Sequence, residues 1–144
     1  MYNQRKRRKP SQYIPPRGIK LHRKKKFEPV LETKSGIKVR SKYEVTTANY
    51  LYNNSIEFLY EPLMILGGQQ YRPDFYLPEY NLFLEICGYN HMPYYRDRSA
   101  YKYETYKRHG LQFIFIYYNG KGSLEKIIKE ELEKFSVVFS ETQE

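Results

Sequence analysis

Two acidic residues, Asp74 and Glu85, have the setting that most strongly indicates chemistry. Glu85 lies between Leu84 and Ile86 in the most apolar segment of the chain, residues 82–87. A buried carboxylate is costly there unless a cation or a strong hydrogen-bond network stabilises it. Asp74 follows Arg72-Pro73 in the preceding extended segment, and the turn between the two segments is short. Adjacent antiparallel pairing would therefore bring the two carboxylates together.

Two neighbouring carboxylates repel one another unless a divalent cation lies between them. Oxygen ligands of this kind suit magnesium or manganese. Glu44 could supply a third ligand, although its spacing from Ser41 also fits a helix-capping box. The sequence therefore predicts a metal site formed by Asp74, Glu85 and Glu44, with Mg²⁺ (or Mn²⁺) as the cofactor.

The patterning of apolar and turn residues predicts the elements that position these side chains. Ser41 is expected to cap a first helix over residues 42–54, with Val45, Ala48, Leu51 and Tyr52 on one face. We expect extended segments over residues 56–66, 70–77 and 82–87, a helix over 96–109, a strand over 111–118 and an amphipathic helix over 124–135. A hairpin with its turn at residues 34–36 and a short edge strand at 137–139 complete the expected elements.

This order of elements predicts an α/β fold with a mixed central β-sheet of about four strands flanked by helices. A chain of 144 residues is long enough for one domain with a single ordinary core. We expect that domain to occupy residues 27–144 and to follow a basic, flexible arm at residues 1–26.

The positive charge of the chain is concentrated in residues 1–26. This stretch holds 11 of the 25 Lys and Arg residues and no acid, whereas the remaining 14 are outnumbered by 16 Asp and Glu. Basic runs of this kind bind phosphate backbones, because neutralising them releases counterions. The predicted nucleic-acid contacts are Arg5, Lys6, Arg7, Arg8, Lys9, Arg17, Arg23, Lys24, Lys25, Lys26, Arg40 and Lys42.

Composition also argues against several classes of protein. The single Cys87 cannot form an intramolecular disulfide. The chain contains no apolar run long enough to span a bilayer, and its charged N-terminus is unlike a signal peptide. We therefore expect a soluble, intracellular protein, cytoplasmic in location and without a membrane partner.

Several short motifs resemble, in their order, the core of the PD-(D/E)XK nuclease superfamily. They are Val39–Glu44 with Ala48 and Leu51, Tyr60-Glu61-Pro62, Arg72-Pro73-Asp74-Phe75, Leu84–Gly88 and Lys102–Gly110. The resemblance covers roughly residues 37–118. It implies a restriction-endonuclease-like fold with an α-β-β-β-α-β core. It also implies metal-assisted hydrolysis of phosphodiester bonds, with catalytic roles for Glu44, Asp74 and Glu85.

One position departs from the family pattern. The third motif of the family is usually Glu-x-Lys, and this chain has Glu85-Ile86-Cys87. Two replacements for the lysine remain open. Lys102, on the following helix, could point back to the site. Alternatively, Gly88-Tyr89-Asn90-His91 resembles the branch of very-short-patch-repair and related homing endonucleases, in which a histidine contributes to catalysis, and His91 would then take that role.

The expected function is a metal-dependent DNA endonuclease, structure-selective rather than specific for a long site. The main alternative is a nucleic-acid-binding module with a degenerate active site, and a ribosomal or nucleoid structural protein is a third reading. The expected partner is DNA, although the sequence does not distinguish a DNA substrate from an RNA substrate. A homodimer or a partner subunit could add further contacts. A phage or prokaryotic source is expected by analogy alone.

Overall fold

The computed structural model describes residues 28–135, which form eight short strands and three α-helices. The strands are β1 (Leu31–Glu32), β2 (Lys38–Val39), β3 (Leu59–Tyr60), β4 (Met64–Leu66), β5 (Gln69–Tyr71), β6 (Phe75–Leu77), β7 (Leu82–Cys87) and β8 (Phe113–Tyr117). The helices are α1 (Lys42–Asn53), α2 (Pro93–Arg108) and α3 (Leu124–Glu133). The basic arm and the edge strand predicted at 137–139 lie outside the described residues. Among these helices, none combines the length and the apolar character needed to cross a membrane.

A four-stranded mixed sheet with the strand order β3-β6-β7-β8 forms the centre of the fold. The first three strands are antiparallel to one another, whereas β8 runs parallel to β7. A parallel neighbour requires a crossover connection, and α2 provides it between β7 and β8. The predicted α/β class and the predicted mixed sheet of about four strands are therefore confirmed.

The extended segments predicted at 56–66 and 70–77 are each divided into two strands, so their prediction as single strands was wrong. Pro62 interrupts the first segment and Pro73 the second, and proline cannot donate a ladder hydrogen bond. Glu61, just before Pro62, has a φ of 49° and redirects the chain. The remaining two strands, β4 and β5, pair with each other as a separate hairpin with its turn at Gly67-Gly68.

Helix α1 begins as predicted, because the Ser41 Oγ accepts the backbone N–H of Glu44 at 3.2 Å. The predicted hairpin ahead of it is also present as β1 and β2. The buried face of α1 agrees with the expectation at Ala48 and Leu51 and differs from it at Thr47 and Tyr52. Thr47, Ala48 and Leu51 are buried, whereas Tyr52 is 52% exposed.

The sheet is covered by helices on both faces. On one face, buried residues of α1 and α3 pack against Leu82 and Leu84 of β7 and their neighbours to form the main core. On the other face, Tyr106 of α2 packs against Phe83 and Phe113. Side chains alternate between the faces of a strand, so Glu85 is on the same side as Phe83 and faces α2.

Gly88 fixes how closely the end of β7 approaches α1. A Cβ atom at residue 88 would lie 2.8 Å from Cδ2 of Tyr43, closer than van der Waals contact allows. The Tyr43 ring cannot move freely, because it packs edge-on against Tyr118 with 5.0 Å between the ring centroids. Since Glu44 follows Tyr43, this contact helps to set the position of Glu44 relative to β7.

Gly88→Ala is expected to lower the free energy of unfolding by about 1–3 kcal/mol, because the added methyl group overpacks the contact with Tyr43. Urea denaturation of the native and variant chains measures the loss. In a Tyr43→Ala background the same substitution should cost much less. An equal cost in both backgrounds would contradict this explanation.

Candidate functional site

Three carboxylates lie in one row across the central sheet. The observed registers of β3 with β6 and of β6 with β7, continued by one residue, place Glu61, Asp74 and Glu85 side by side. The Glu61 backbone N–H donates to the Asp74 carbonyl at 3.0 Å. The Ile86 backbone N–H donates to Asp74 Oδ2 at 2.7 Å. Asp74 therefore occupies the middle of the row, between two other acids.

Glu44 adds a fourth carboxylate from the first turn of α1. Its Oε1 accepts the backbone N–H of Arg40 at 3.0 Å and the hydroxyl of Tyr60 at 2.7 Å. These two bonds hold a nearly buried side chain in place. A carboxylate oxygen from each of Glu44, Glu61 and Asp74 lies within 4.8 Å of the other two, a spacing that a divalent cation could bridge.

Cationic partners are found at the two ends of the row. Arg40 binds Glu61 through two hydrogen bonds, from Nε to Oε2 at 2.9 Å and from Nη2 to Oε1 at 3.1 Å. Lys102 Nζ lies 3.4 Å from Oε1 of Glu85, whose Oε2 accepts the Tyr106 hydroxyl at 2.7 Å. Both outer carboxylates are thus paired with a cation.

Asp74 and Glu44 differ from the outer acids in charge compensation. Within residues 28–135, neither of them forms an ion pair with a Lys or Arg side chain. Burial, followed by the charges of Glu85 and Glu44, raises the pKa of Asp74 well above its ordinary value. Such a carboxylate is destabilised as an anion, and a divalent cation would relieve that destabilisation.

The structure also places the two predicted replacements for the family lysine. Burial alone would lower the pKa of Lys102, but the Glu85 and Asp74 carboxylates outweigh it and raise that pKa, so the ammonium group is charged. His91 is exposed and is not among the described residues that line the cleft. Burial raises the pKa of Cys87 to about 12, so the thiol that stands at the lysine position stays protonated.

The acids lie in a cleft with a volume of about 1010 Å³. Its cationic lining residues are Arg40, Lys42, Arg72, Arg98 and Lys102. The structure therefore brings Arg40 and Lys42, two of the predicted nucleic-acid contacts, to the same cleft as the acids. The other ten predicted contacts fall in residues 1–26, outside the described part of the chain.

Glu61 and Tyr60 are among the site residues that were not predicted as functional from the sequence. Glu61 was noted only within the Tyr60-Glu61-Pro62 motif of the resemblance, and its proximity to Asp74 depends on the pairing of β3 with β6. Tyr60 follows the apolar residues Phe58 and Leu59 in the sequence, yet its hydroxyl donates a hydrogen bond to Glu44. The sequence signal for both residues was the Tyr60-Glu61-Pro62 motif, at the point where the strand ends.

Comparisons of the chain with models of protein families, with curated proteins and with solved structures gave no match.

Asp74→Asn is expected to raise the melting temperature of the metal-free protein at neutral pH. The raised pKa means that the fold favours the protonated side chain. The free energy of unfolding therefore decreases as the pH rises through that pKa. Asparagine carries no charge and can still accept the Ile86 N–H bond. Thermal unfolding in EDTA at several pH values tests this.

The difference between Asp74→Asn and the native chain should shrink as the pH falls towards the ordinary carboxyl range, where Asp74 is protonated. Asp97→Asn is the matched control, because Asp97 lies on α2 with only a 3.9 Å ion pair to Arg96. A lower melting temperature for Asp74→Asn at neutral pH would show that the fold stabilises the ionised form.

Proposed function

We propose that the protein is a metal-dependent endonuclease that hydrolyses phosphodiester bonds in DNA. One observation carries this proposal: four carboxylates and five cationic side chains line the same cleft, and two of those carboxylates form no ion pair within residues 28–135. The four carboxylates suit a divalent cation, and the surrounding cationic side chains suit the phosphate groups of a nucleic acid.

The donor set fits a hard divalent cation. All the candidate ligand atoms are carboxylate oxygens, which Mg²⁺ and Mn²⁺ prefer, and three of them are mutually close. When bound, such an ion lowers the pKa of a coordinated water and stabilises charge on the phosphate. Glu44 and Asp74 are the residues that would hold it, because they lie together and form no ion pair within the described residues.

The protein's own side chains would do the remaining work. Lys102 keeps a charged ammonium group at the acidic row, where it would neutralise negative charge that develops on the phosphate. Arg40 and Lys42 line the cleft and would contact phosphates of the substrate backbone. The basic residues of the arm would add sequence-independent affinity that falls as salt rises.

The order of elements supports the finer assignment to the PD-(D/E)XK nucleases. Helix α1, strands β3, β6 and β7, helix α2 and strand β8 follow one another as α-β-β-β-α-β, with the β4–β5 hairpin inserted. Asp74 immediately precedes β6, and Glu85 lies in the neighbouring strand β7, which is the placement that the resemblance implies. Lys102 of α2 would take the place of the lysine in the family motif.

The alternative function is a nucleic-acid-binding module whose active site no longer cuts. Two observations favour it: Cys87 occupies the position of the family lysine, and Arg40 engages both carboxylate oxygens of Glu61. Both functions require binding of nucleic acid, so metal-dependent cleavage is the property that separates them.

Cleavage of supercoiled plasmid and of a synthetic four-way junction is expected with Mg²⁺ or Mn²⁺ and not with EDTA. Asp74→Ala should abolish it, by at least about 100-fold, because the central ligand of the site is lost. Gel assays of both substrates and of a matched RNA measure the activity. Tight binding of every substrate without cutting in either metal would favour the binding module.

Lys102→Ala and His91→Ala are expected to differ in effect. The lysine is half-buried and paired with Glu85, so its loss should slow cleavage by about 100-fold. The histidine is exposed, and its loss should leave the cleavage rate within about threefold of native. Rates under single-turnover conditions make the comparison. The reverse pattern would assign the role to His91 and support the repair-endonuclease branch.

A further inference from the structure

The four carboxylates of the cleft need not share one role, and their partners distinguish them. The inference below rests on the proposed nuclease function, because it assigns some of the acids to binding of the metal and the others to positioning of the cations that contact the substrate. Glu85 was predicted from the sequence as a metal ligand. Its actual surroundings, and those of Glu61, differ from the surroundings of Glu44 and Asp74.

Glu85 is enclosed by donors from α2. Its side chain is 4% exposed, and Lys102 and Tyr106 each engage one of its oxygens. Lys102 and Tyr106 are four residues apart and therefore on one face of the helix. Tyr106 is fully buried, and burial, with the charge and hydrogen bond of Glu85, raises the pKa of its hydroxyl, which remains a donor.

Glu61 has an equivalent arrangement at the other end of the row. Arg40 engages both of its oxygens in a two-point ion pair whose side chains are 26% and 12% exposed. A guanidinium held in this way has a fixed orientation, which suits recognition of a phosphate. Arg72 donates to the Glu61 carbonyl at 3.0 Å, so the backbone is restrained as well as the side chain.

Glu44 and Asp74 have a different set of partners. Their hydrogen bonds come from backbone N–H groups and, for Glu44, from the neutral hydroxyl of Tyr60. These contacts orient each carboxylate without cancelling its charge. A lysine or arginine close to a carboxylate reduces its attraction for a divalent cation, and that penalty falls on the outer acids.

We infer that Glu61 and Glu85 are positioning residues, which hold Arg40 and Lys102 for the substrate phosphate, and that Glu44 and Asp74 are the metal ligands. The site is then a metal-binding pair flanked by two oriented cations. Glu85 thus acts on the phosphate through Lys102. This assignment differs from the one that the resemblance implies, in which Glu85 binds the metal.

Binding of Mn²⁺ to the full chain, measured by isothermal titration calorimetry without nucleic acid, separates the two roles. Glu44→Gln and Asp74→Asn should weaken Mn²⁺ binding by about 10–100-fold. Glu61→Gln and Glu85→Gln should change it by less than about threefold, as should the control Glu104→Gln on the exposed side of α2. Circular dichroism confirms that each variant is folded.

Cleavage rates complete the test. Glu85→Gln should slow single-turnover cleavage by about 10–100-fold, although it leaves Mn²⁺ affinity unchanged. If Glu85 acts through Lys102, the double variant Glu85→Gln/Lys102→Met should be no slower than Lys102→Met alone. The same relation should hold for Glu61→Gln with Arg40→Met.

Tyr106→Phe provides a milder test that removes one hydroxyl from a buried site. It should slow cleavage by about tenfold with Mn²⁺ affinity unchanged, because Glu85 loses one of its two donors. Tyr103→Phe is the matched control. Tyr103 lies on the same helix and, like Tyr106, its ring contacts Phe113 and Phe115, and its substitution should leave both properties unchanged.

The outcomes separate this inference from the proposed function. A native chain that binds no Mn²⁺ and cuts no DNA would overturn both. A native chain that binds Mn²⁺ and cuts DNA would keep the function. The inference alone would then fail if Glu85→Gln or Glu61→Gln weakened Mn²⁺ binding as much as Asp74→Asn does, or if the double variants showed additive losses.

Discussion

The site depends on the register of β6 between β3 and β7. That register places Asp74 between Glu61 and Glu85, which concentrates negative charge at one place in the sheet. Like charges so close are costly unless each is compensated. A cation from the segment before α1 compensates Glu61, and a cation and a hydroxyl from α2 compensate Glu85. Asp74, between them, receives a backbone N–H from β7 and no ion pair within residues 28–135.

Much of the fold could be predicted because its signals are local. Ser41 caps α1, and the apolar face of α3 has a clear helical period, so both helices begin where the sequence predicts. The two prolines were harder to interpret. Each was visible in the sequence, but whether it ends a strand or is tolerated at an edge depends on which neighbour the strand pairs with, and that is a property of the whole sheet.

The site was predictable in part for the same reason. A short turn joins β6, which Asp74 immediately precedes, to β7, which contains Glu85, so the proximity of the two acids follows from local pairing. Glu61 meets Asp74 only through β3, whose pairing with β6 is not encoded by any turn between them. Lys102 was one of two candidates because a helix position in sequence does not reveal which way its side chain faces. The contact with Glu85 places Lys102 in the site. His91 is exposed and does not line the cleft.

The attachment of Lys102 and Tyr106 to the same face of α2 has a mechanical consequence. The two groups are four residues apart, which corresponds to about 6 Å along a helix, and they contact the two oxygens of a single carboxylate. Any sliding or rotation of α2 as a rigid rod would displace both contacts at once. These two contacts therefore fix both the rotation of α2 about its axis and its position along β7. A displacement of α2 would accordingly change the hydrogen bonds of Glu85 in the acidic row.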